Sequence, residues 1–508
     1  MSNKEKNTTD SNEQKVQKRS QKSLDIISTQ FTFPFARPIS HNFDDDLLFS
    51  YHAVTPLVDI FKTVSEFGRA RKRIFTGGMA IDLALKSVGS YIYDNFDIDF
   101  DFFSPEFHKD AFDLANIISQ NRDPRNINAI VAMHVSTMRV RFRWNAVADI
   151  TYVPPELYKK IPTLSIDLKA IRSNGKKKSL PYLVVHPAFQ MIDQHVSMSQ
   201  PYANEPMVNI MGRCKKDFVR MLKLAHFFDI PKELRQICSD HKESETNTKQ
   251  RELSDKEILA IFLDLNKNFK ICLGGRPAVE YWFDKKLLGN MTTFDSQVII
   301  YSFDYVKVAE YLAKKLGKTI IWYKKTLDKI PANASIGPFV VYNTHHRWIA
   351  AEEKNEVFYA GPHTIGSLSL SKAIFENSKE DIDIYEQLHK NYMQAVKTYS
   401  VADGSADGPA DDVGRLLMCP TYYGAEKISE TRVLVAKKLC SNFLRKKPEP
   451  NKDTANNYYP GKAEPDYGFK PELSPVLQYD GTVSNGPEDL SSAPCDQFFR
   501  QKSKNYYV

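Results

Sequence analysis

The sequence predicts an α+β chain: a mixed sheet with flanking helices, followed by a second, degenerate copy of the same unit. Three observations carry this. A strand runs through a Gly-Gly turn into a helix over Phe75–Leu85, a second strand over Phe96–Phe103 carries a row of acids, and the strand, Gly-Gly, helix order returns over Phe269–Tyr281. Side chains alternate along a strand, so Asp97, Asp99 and Asp101 share one face while Phe96, Ile98, Phe100 and Phe102 share the other. Three like charges on one face call for cations. Hard carboxylate oxygens beside a glycine turn suit a divalent metal next to a phosphate chain.

A chain of 508 residues has room for two or three domains of ~150 residues each. The formal net charge of +7 permits a polyanionic partner without requiring one. Six cysteines lie far apart with no Cys-x-x-Cys pair, which argues against structural zinc and fits a reducing, cytosolic compartment. No apolar run reaches the ~18 residues a membrane span needs.

Residues 1–24 are polar and read as a tail. Residues 25–70 form an N-terminal helical segment, with a helix starting at Thr55-Pro56 and apolar residues Leu57, Ile60, Phe61, Val64 and Phe67 at helical spacing. Its basic end, Arg69–Arg73, reads as a solvated helix C-terminus that complements the dipole, with a nucleic-acid contact as the alternative. Residues 71–238 form the expected catalytic domain. There the helix after Gly78 buries Ile81, Leu85 and Val88, and its N-terminus offers free amides and the positive dipole end to an anion. A Gly-Gly pair alone is more often a plain turn, and the acid strand behind it is what makes it informative. Ala129–Trp144 reads as one or two strands with Arg139, Arg141 and Arg143 on one face, suited either to a solvated edge or to phosphates. Asp149 lies inside the apolar strand that follows, where an acid is costly unless paired or metal-bound, so it is the candidate to join Asp97 and Asp99.

A basic loop, Lys176–Lys178, precedes a helix starting at Pro187, and His186 and His195 read as structural. Arg213, Lys216, Arg220 and Lys223 form a stripe on a later helix, on spacing alone an ordinary exposed face. Residues 239–252 are a polar linker and 253–400 the second copy. The step from Gly78 to Asp97 is 97 − 78 = 19 and from Gly275 to Asp295 is 295 − 275 = 20, which sets Asp99 against Gln297 and Asp101 against Ile299. Having lost two acids, this copy is expected to be a structural or RNA-contacting relic. Strands are expected at Val298–Tyr301, Thr319–Tyr323, Phe339–Tyr342 and Val357–Ala360, and helices at Val306–Leu316 and Ile382–Tyr399. Tyr305, Trp322, Tyr323 and Trp348 read as core aromatics rather than base-stacking platforms. Residues 401–412 are a flexible linker, 413–445 a helical segment and 446–508 a mostly disordered tail.

Thr76-Gly77-Gly78, Asp97-Ile98-Asp99-Phe100, Val147-Ala148-Asp149-Ile150 and the basic helix through Arg213, Lys215, Lys216 and Arg220 together resemble the DNA polymerase-beta-type nucleotidyltransferase superfamily. More narrowly, they resemble the poly(A) polymerase catalytic subunits of large cytoplasmic DNA viruses (the poxvirus, asfarvirus and mimivirus-like group). The resemblance implies a nucleotidyltransferase fold with Asp97, Asp99 and Asp149 as catalytic metal ligands for two Mg²⁺ or Mn²⁺ ions. It makes Gly77 and Gly78 the triphosphate contacts, with Lys215, Lys216 and Arg220 among the nucleotide-binding residues. It further implies ATP and an RNA 3′ end as substrates, a homodimer or viral processivity partner, and work in the cytoplasmic viral factory or the virion. Gly78 stands where many relatives carry a phosphate-contacting serine, leaving only backbone there. Asp101 keeps Asp99 and Asp101 open as the alternative operative pair, although Asp97-Ile98-Asp99-Phe100 matches the motif better. A nucleotidyltransferase with another acceptor or nucleotide, and a non-catalytic RNA-binding pseudo-enzyme, are the competing readings.

Overall fold

The computed structural model describes residues 55–93, 100–132, 137–143, 145–167, 181–199, 210–239, 253–284, 286–288, 294, 297–302, 304–324, 329–344, 349–401, 422–423, 458–462 and 483–484. The first half runs α1 (Thr55–Ala70), β1 (Ile74–Thr76), α2 (Gly77–Ser87), β2 (Phe100–Ser104), α3 (Phe107–Ser119), β3 (Ile127–Val131), β4 (Thr137–Phe142) and β5 (Asn145–Tyr152). It continues through α4 (Pro155–Tyr158), β6 (Thr163–Ile166), β7 (Tyr182–Val185), α5 (Pro187–Ser199), α6 (Ile210–Phe227) and α7 (Ile230–Ser239).

Seven of these strands form one mixed sheet in the order β3-β4-β5-β2-β1-β7-β6. Pairs β1/β2, β3/β4, β4/β5 and β6/β7 are antiparallel, while β2/β5 and β1/β7 are parallel. Phe100 and Phe102 are fully buried and meet Phe61, Phe67 and Phe75, so one face of β2 packs under α1. The pleat then turns Asp101 to the opposite face. Arg71 and Arg73, read from sequence as a solvated helix end, are instead spent on α3: Arg71 bonds Asp110 at 2.6 Å and Asp113 at 2.7 Å, and Arg73 donates from Nη2 to Asp110 Oδ1 at 3.1 Å. Asp110 is completely buried, and two guanidiniums plus the Ser104 hydroxyl offset the cost of desolvating it.

The second half runs α8 (Asp255–Asn268), β8 (Cys272–Leu273), α9 (Gly275–Asp284), β9 (Val298–Ser302), α10 (Tyr305–Leu316), β10 (Ile321–Tyr323), β11 (Asn333–Ile336) and β12 (Phe339–Asn343). Then come β13 (Ile349–Lys354), β14 (Val357–Ala360), α11 (Pro362–Glu376), α12 (Lys379–Val401), β15 (Tyr422–Tyr423) and β16 (Val483–Ser484). Its sheet order is β15-β13-β14-β8-β9-β12-β11-β10-β16. Without the outermost strands this repeats the first sheet position for position. The pairing directions repeat too: β8/β9 and β11/β12 are antiparallel, β9/β12 and β14/β8 parallel.

The register also settles the internal alignment. Gly77 (φ +66°) and Gly275 (φ +63°) each open a helix, so Gly77 corresponds to Gly275 and the one-residue discrepancy in spacing disappears. Asp101 then corresponds to Ile299 and, through the parallel ladders, Asp149 to Val340. Ile299 and Val340 are 5% and 3% exposed, so the second copy fills the acid positions with packed apolar side chains. Gln297, opposite number of Asp99, accepts a hydrogen bond from Lys372 at 3.3 Å, and Lys372 also pairs with buried Asp381 at 3.1 Å. Tyr305 and Trp322 meet edge to face as expected of core aromatics, while Trp348 lies outside the described residues.

The halves meet through α5 and α11, packed against each other. Every residue of α5 except Asp193 is buried, and so is α11 from Pro362 to Ile374. Between them His195 and His363 meet Nδ1 to Nδ1 at 3.1 Å, and His195 Nε2 meets the Tyr385 hydroxyl at 3.1 Å. Lys329 of the second half pairs with Asp193 of the first. The C-terminal region is partly seated. Tyr458 pairs with Ala129 on the outer edge of β3 and packs on Phe112, and β16 pairs with β10, the equivalent edge of the second sheet. The expected 239–252 linker, apart from Ser239, and the expected helix near Ala425–Leu444 lie outside the described residues.

Candidate active site

The site is built where β1 hands over to α2. Thr76 is the extended residue ahead of the helix, and its side chain makes no capping bond, so the first-turn amides are not spent on it. Gly77 is required twice over: its φ is positive, and an added Cβ would collide with the Asp101 carboxylate. A Cβ on Gly78 would strike the Tyr93 hydroxyl and lie 2.9 Å from Arg220 Nη2. The two glycines therefore let a carboxylate and a guanidinium approach the helix N-terminus closely, the surroundings an oligophosphate and its counter-ions need.

Of the sequence-predicted acids, Asp149 is placed and Asp97 and Asp99 lie outside the described residues. The acid at the glycine turn among the described residues is Asp101. It is the register partner of Thr76 on one side and of Asp149 on the other, so both carboxylates stand on the same face of adjacent strands. Both oxygens of Asp149 are held by Arg139, Nε to Oδ1 at 2.7 Å and Nη2 to Oδ2 at 2.6 Å, a bidentate fork that fixes the carboxylate plane. Arg141, two residues on, faces the same way, while Arg143 turns off the strand at φ +47°, so two arginines share the face rather than three.

Helix α6 packs against α2 and brings a guanidinium to the turn. Its predicted exposed stripe is half overturned: Arg220 and Lys223 point inward, with Lys223 6% exposed. Arg220 bonds the Tyr93 hydroxyl and pairs with Asp217 at 3.5 Å, and Lys223 donates to the Tyr91 carbonyl at 2.8 Å. The side chains of Lys215 and Lys216 lie outside the described residues, although the helix includes both. Buried Asp82 pairs with Lys86 at 2.6 Å and accepts from the amides of Ile92 and Tyr93 at 2.8 and 3.1 Å. Asp82 and Lys223 thus anchor the segment leading into Asp97 and Asp99. Lys223 was read from sequence only as part of an exposed stripe, and Asp82 and Tyr93 were missed there, because Asp82 and Lys86 at i, i+4 look like any helical ion pair. His186 bonds Glu233 at 3.1 Å, and His195 sits between the halves. Burial, then the like charges of His363 and His389, hold His195 well below the usual histidine range.

Residues 62–204 match the family model described as "Poly(A) polymerase catalytic subunit". A candidate poly(A) polymerase catalytic subunit of African swine fever virus (strain Badajoz 1971 Vero-adapted) is 36% identical over 171 residues, 34% of this chain and 33% of that protein. Its counterpart in Acanthamoeba polyphaga mimivirus is 29% identical over 174 residues, 34% of this chain and 26% of that one. The alignment thus spans about a third or less of these relatives' length. The crystal structure of the Megavirus polyadenylate synthase has a TM-score of 0.57 at 17% identity, covering 87% of this chain and 89% of that one, so the two share a fold across both halves. The resemblance read from the glycine turn and acids therefore holds, and the family match takes in Gly77, Gly78, Asp97, Asp99, Asp101 and Asp149. It ends before α6, so the position of Arg220 is a finding of geometry alone.

Proposed function

We propose that this chain, similar over residues 62–204 to poly(A) polymerase catalytic subunits, is a template-independent polynucleotide adenylyltransferase that adds AMP from ATP to RNA 3′ ends. One observation carries the reading: Gly77, Asp101 and Asp149 occupy successive places across one open face, with Arg220 over the turn. Phosphoryl transfer leaves a protein little covalent work, and positioning with charge neutralisation supplies most of the rate.

The chain's own groups divide that work. The α2 amides and Arg220 hold the triphosphate, and the Arg139 fork holds the Asp149 carboxylate oriented toward the attacking 3′-hydroxyl. Asp101 and Asp149 offer hard oxygen donors on neighbouring strands and fit a divalent ion, which Asp97 and Asp99 would help to hold. Mg²⁺ or Mn²⁺, when bound, neutralises the phosphates and lowers the pKa of the attacking hydroxyl. We place catalysis in the 71–238 region and assign the second copy a structural role, supported by the packed Ile299 and Val340. Action on viral mRNA in the cytoplasm, and partnership with a second copy or processivity subunit, extend the reading from the viral relatives.

The test is incubation of the purified chain with a short RNA, Mg²⁺ or Mn²⁺ and each nucleoside triphosphate separately. Elongation with ATP far above the other three is expected. Equal use of all four would point to another nucleotidyl transfer, and no incorporation would sink the enzymatic reading.

A further inference from the structure

Across the face from the glycine turn lie two polar side chains, Arg141 and Asn128, that make no side-chain hydrogen bond among the described residues. Arg141 is half-buried on β4 and makes no hydrogen bond or ion pair among the described residues. Burial, and next the like charge of Arg139, lower its pKa from the ordinary arginine value. Directly opposite it in the β3/β4 ladder is Asn128, 8% exposed, whose Oδ1 is buried without a donor among the described residues. Cross-strand register partners project to the same face, so the two side chains are neighbours. A desolvated cation and an unspent amide side by side on that face match an anion carrying a hydroxyl group.

In-line displacement decides which anion. Attacking and leaving oxygens lie on opposite sides of the α-phosphorus. The leaving pyrophosphate belongs at the glycine turn on β1, so the acceptor approaches from beyond Asp149. β4 is three strands from β1, roughly 14 Å at the usual strand spacing.

We propose that Arg141 and Asn128 form the ribose-phosphate subsite for the acceptor strand, the guanidinium on a phosphodiester and the amide on the adjoining 2′-hydroxyl. The inference rests on the polymerase reading for its choice of ligand. A 2′-hydroxyl both donates and accepts and is what separates RNA from DNA at a single site.

The experiment uses the full chain with Arg141→Ala, Arg141→Lys and Asn128→Ala, each first shown by thermal melting and circular dichroism to be folded. Two readouts are taken: extension kinetics with ATP, and fluorescence-anisotropy binding of a short RNA, without ATP or metal, over a salt series. Probes are the all-ribo primer and the same primer with deoxyriboses at its last three positions. Arg141→Ala is expected to raise KM for the primer about tenfold, the loss of one charge-assisted contact, with KM for ATP unchanged. Its log–log salt dependence should become shallower by about 0.7, the value for one phosphate contact on a single strand. Arg141→Lys should restore part of the affinity, and Asn128→Ala should erase the preference for the ribo primer. A rise in KM for ATP instead of primer would make Arg141 a triphosphate ligand and overturn the proposal, as would an undiminished ribo preference in Asn128→Ala. If wild type extends nothing, the polymerase reading fails by itself, and the anisotropy comparison alone then decides the subsite.

Discussion

At the scale of single residues, the glycine turn and the acids around it make sharp demands. Gly77→Ala imposes a strained φ and drives a methyl group into Asp101. We expect about 1–3 kcal/mol lost in urea unfolding, and extension reduced at least a hundredfold in steady-state assays. The acid pair is separable by substitution. With Asp97 and Asp99 as the operative pair, Asp97→Ala abolishes extension while leaving melting unchanged. If Asp97→Ala stays active and Asp101→Ala does not, the register moves by one strand alternation, as the position of Asp101 beside Gly77 would favour. Sequence alone already pointed to Gly77, Gly78 and Asp149, because a glycine turn and an acid in an apolar strand are local violations of ordinary patterning. It was silent on Arg139 as the Asp149 clamp, since that contact depends on which residues of β4 and β5 come into register.

At the scale of elements, alternation and helical spacing placed most strands and helices because one buried face leaves a period. α11 has none to leave. Its Ser367-Leu368-Ser369-Leu370-Ser371 run looks like strand alternation, yet it is a helix buried on all sides, against α5, α12 and its own sheet. A helix without a solvent face carries no amphipathic signature. The C-terminal region likewise read as disordered from composition, while a few of its residues cover sheet edges. Tyr458 is 3% exposed, packs on Phe112 and donates to Asn116 Oδ1 at 2.8 Å. Tyr458→Ala should therefore cost about 2 kcal/mol in urea unfolding. An unchanged midpoint would show that this contact contributes nothing in solution.

At the scale of the whole molecule, two similar sheets are joined by two buried helices and a cluster of buried histidines. The native pKa of His195 is held well below its unfolded value, chiefly by burial, and that of His108 is lowered to about 4, again by burial. Below about pH 6.5 the unfolded chain binds protons that the native state refuses, so their stability is fully present above that pH and lost as pH falls toward the native values. Unfolding free energy measured by urea should be flat from pH 7 to 8 and fall between pH 6.5 and 5, each such histidine contributing about 1.4 kcal/mol per unit. His195→Gln should make that slope shallower by about one histidine's share, and an unaltered slope would place the acid sensitivity elsewhere.

By itself the sequence determined the glycine turn and the face on which the acids lie, because each follows from spacing within a dozen residues, and the duplicated α+β plan, because the same local pattern occurs twice. Tertiary structure alone decided that Gly77 corresponds to Gly275, that Asp101 stands between Thr76 and Asp149, and that Arg220 reaches over Gly78. Those are matters of register and packing between segments tens to more than a hundred residues apart, where a shift of one residue exchanges the faces of a strand and no local pattern records the choice.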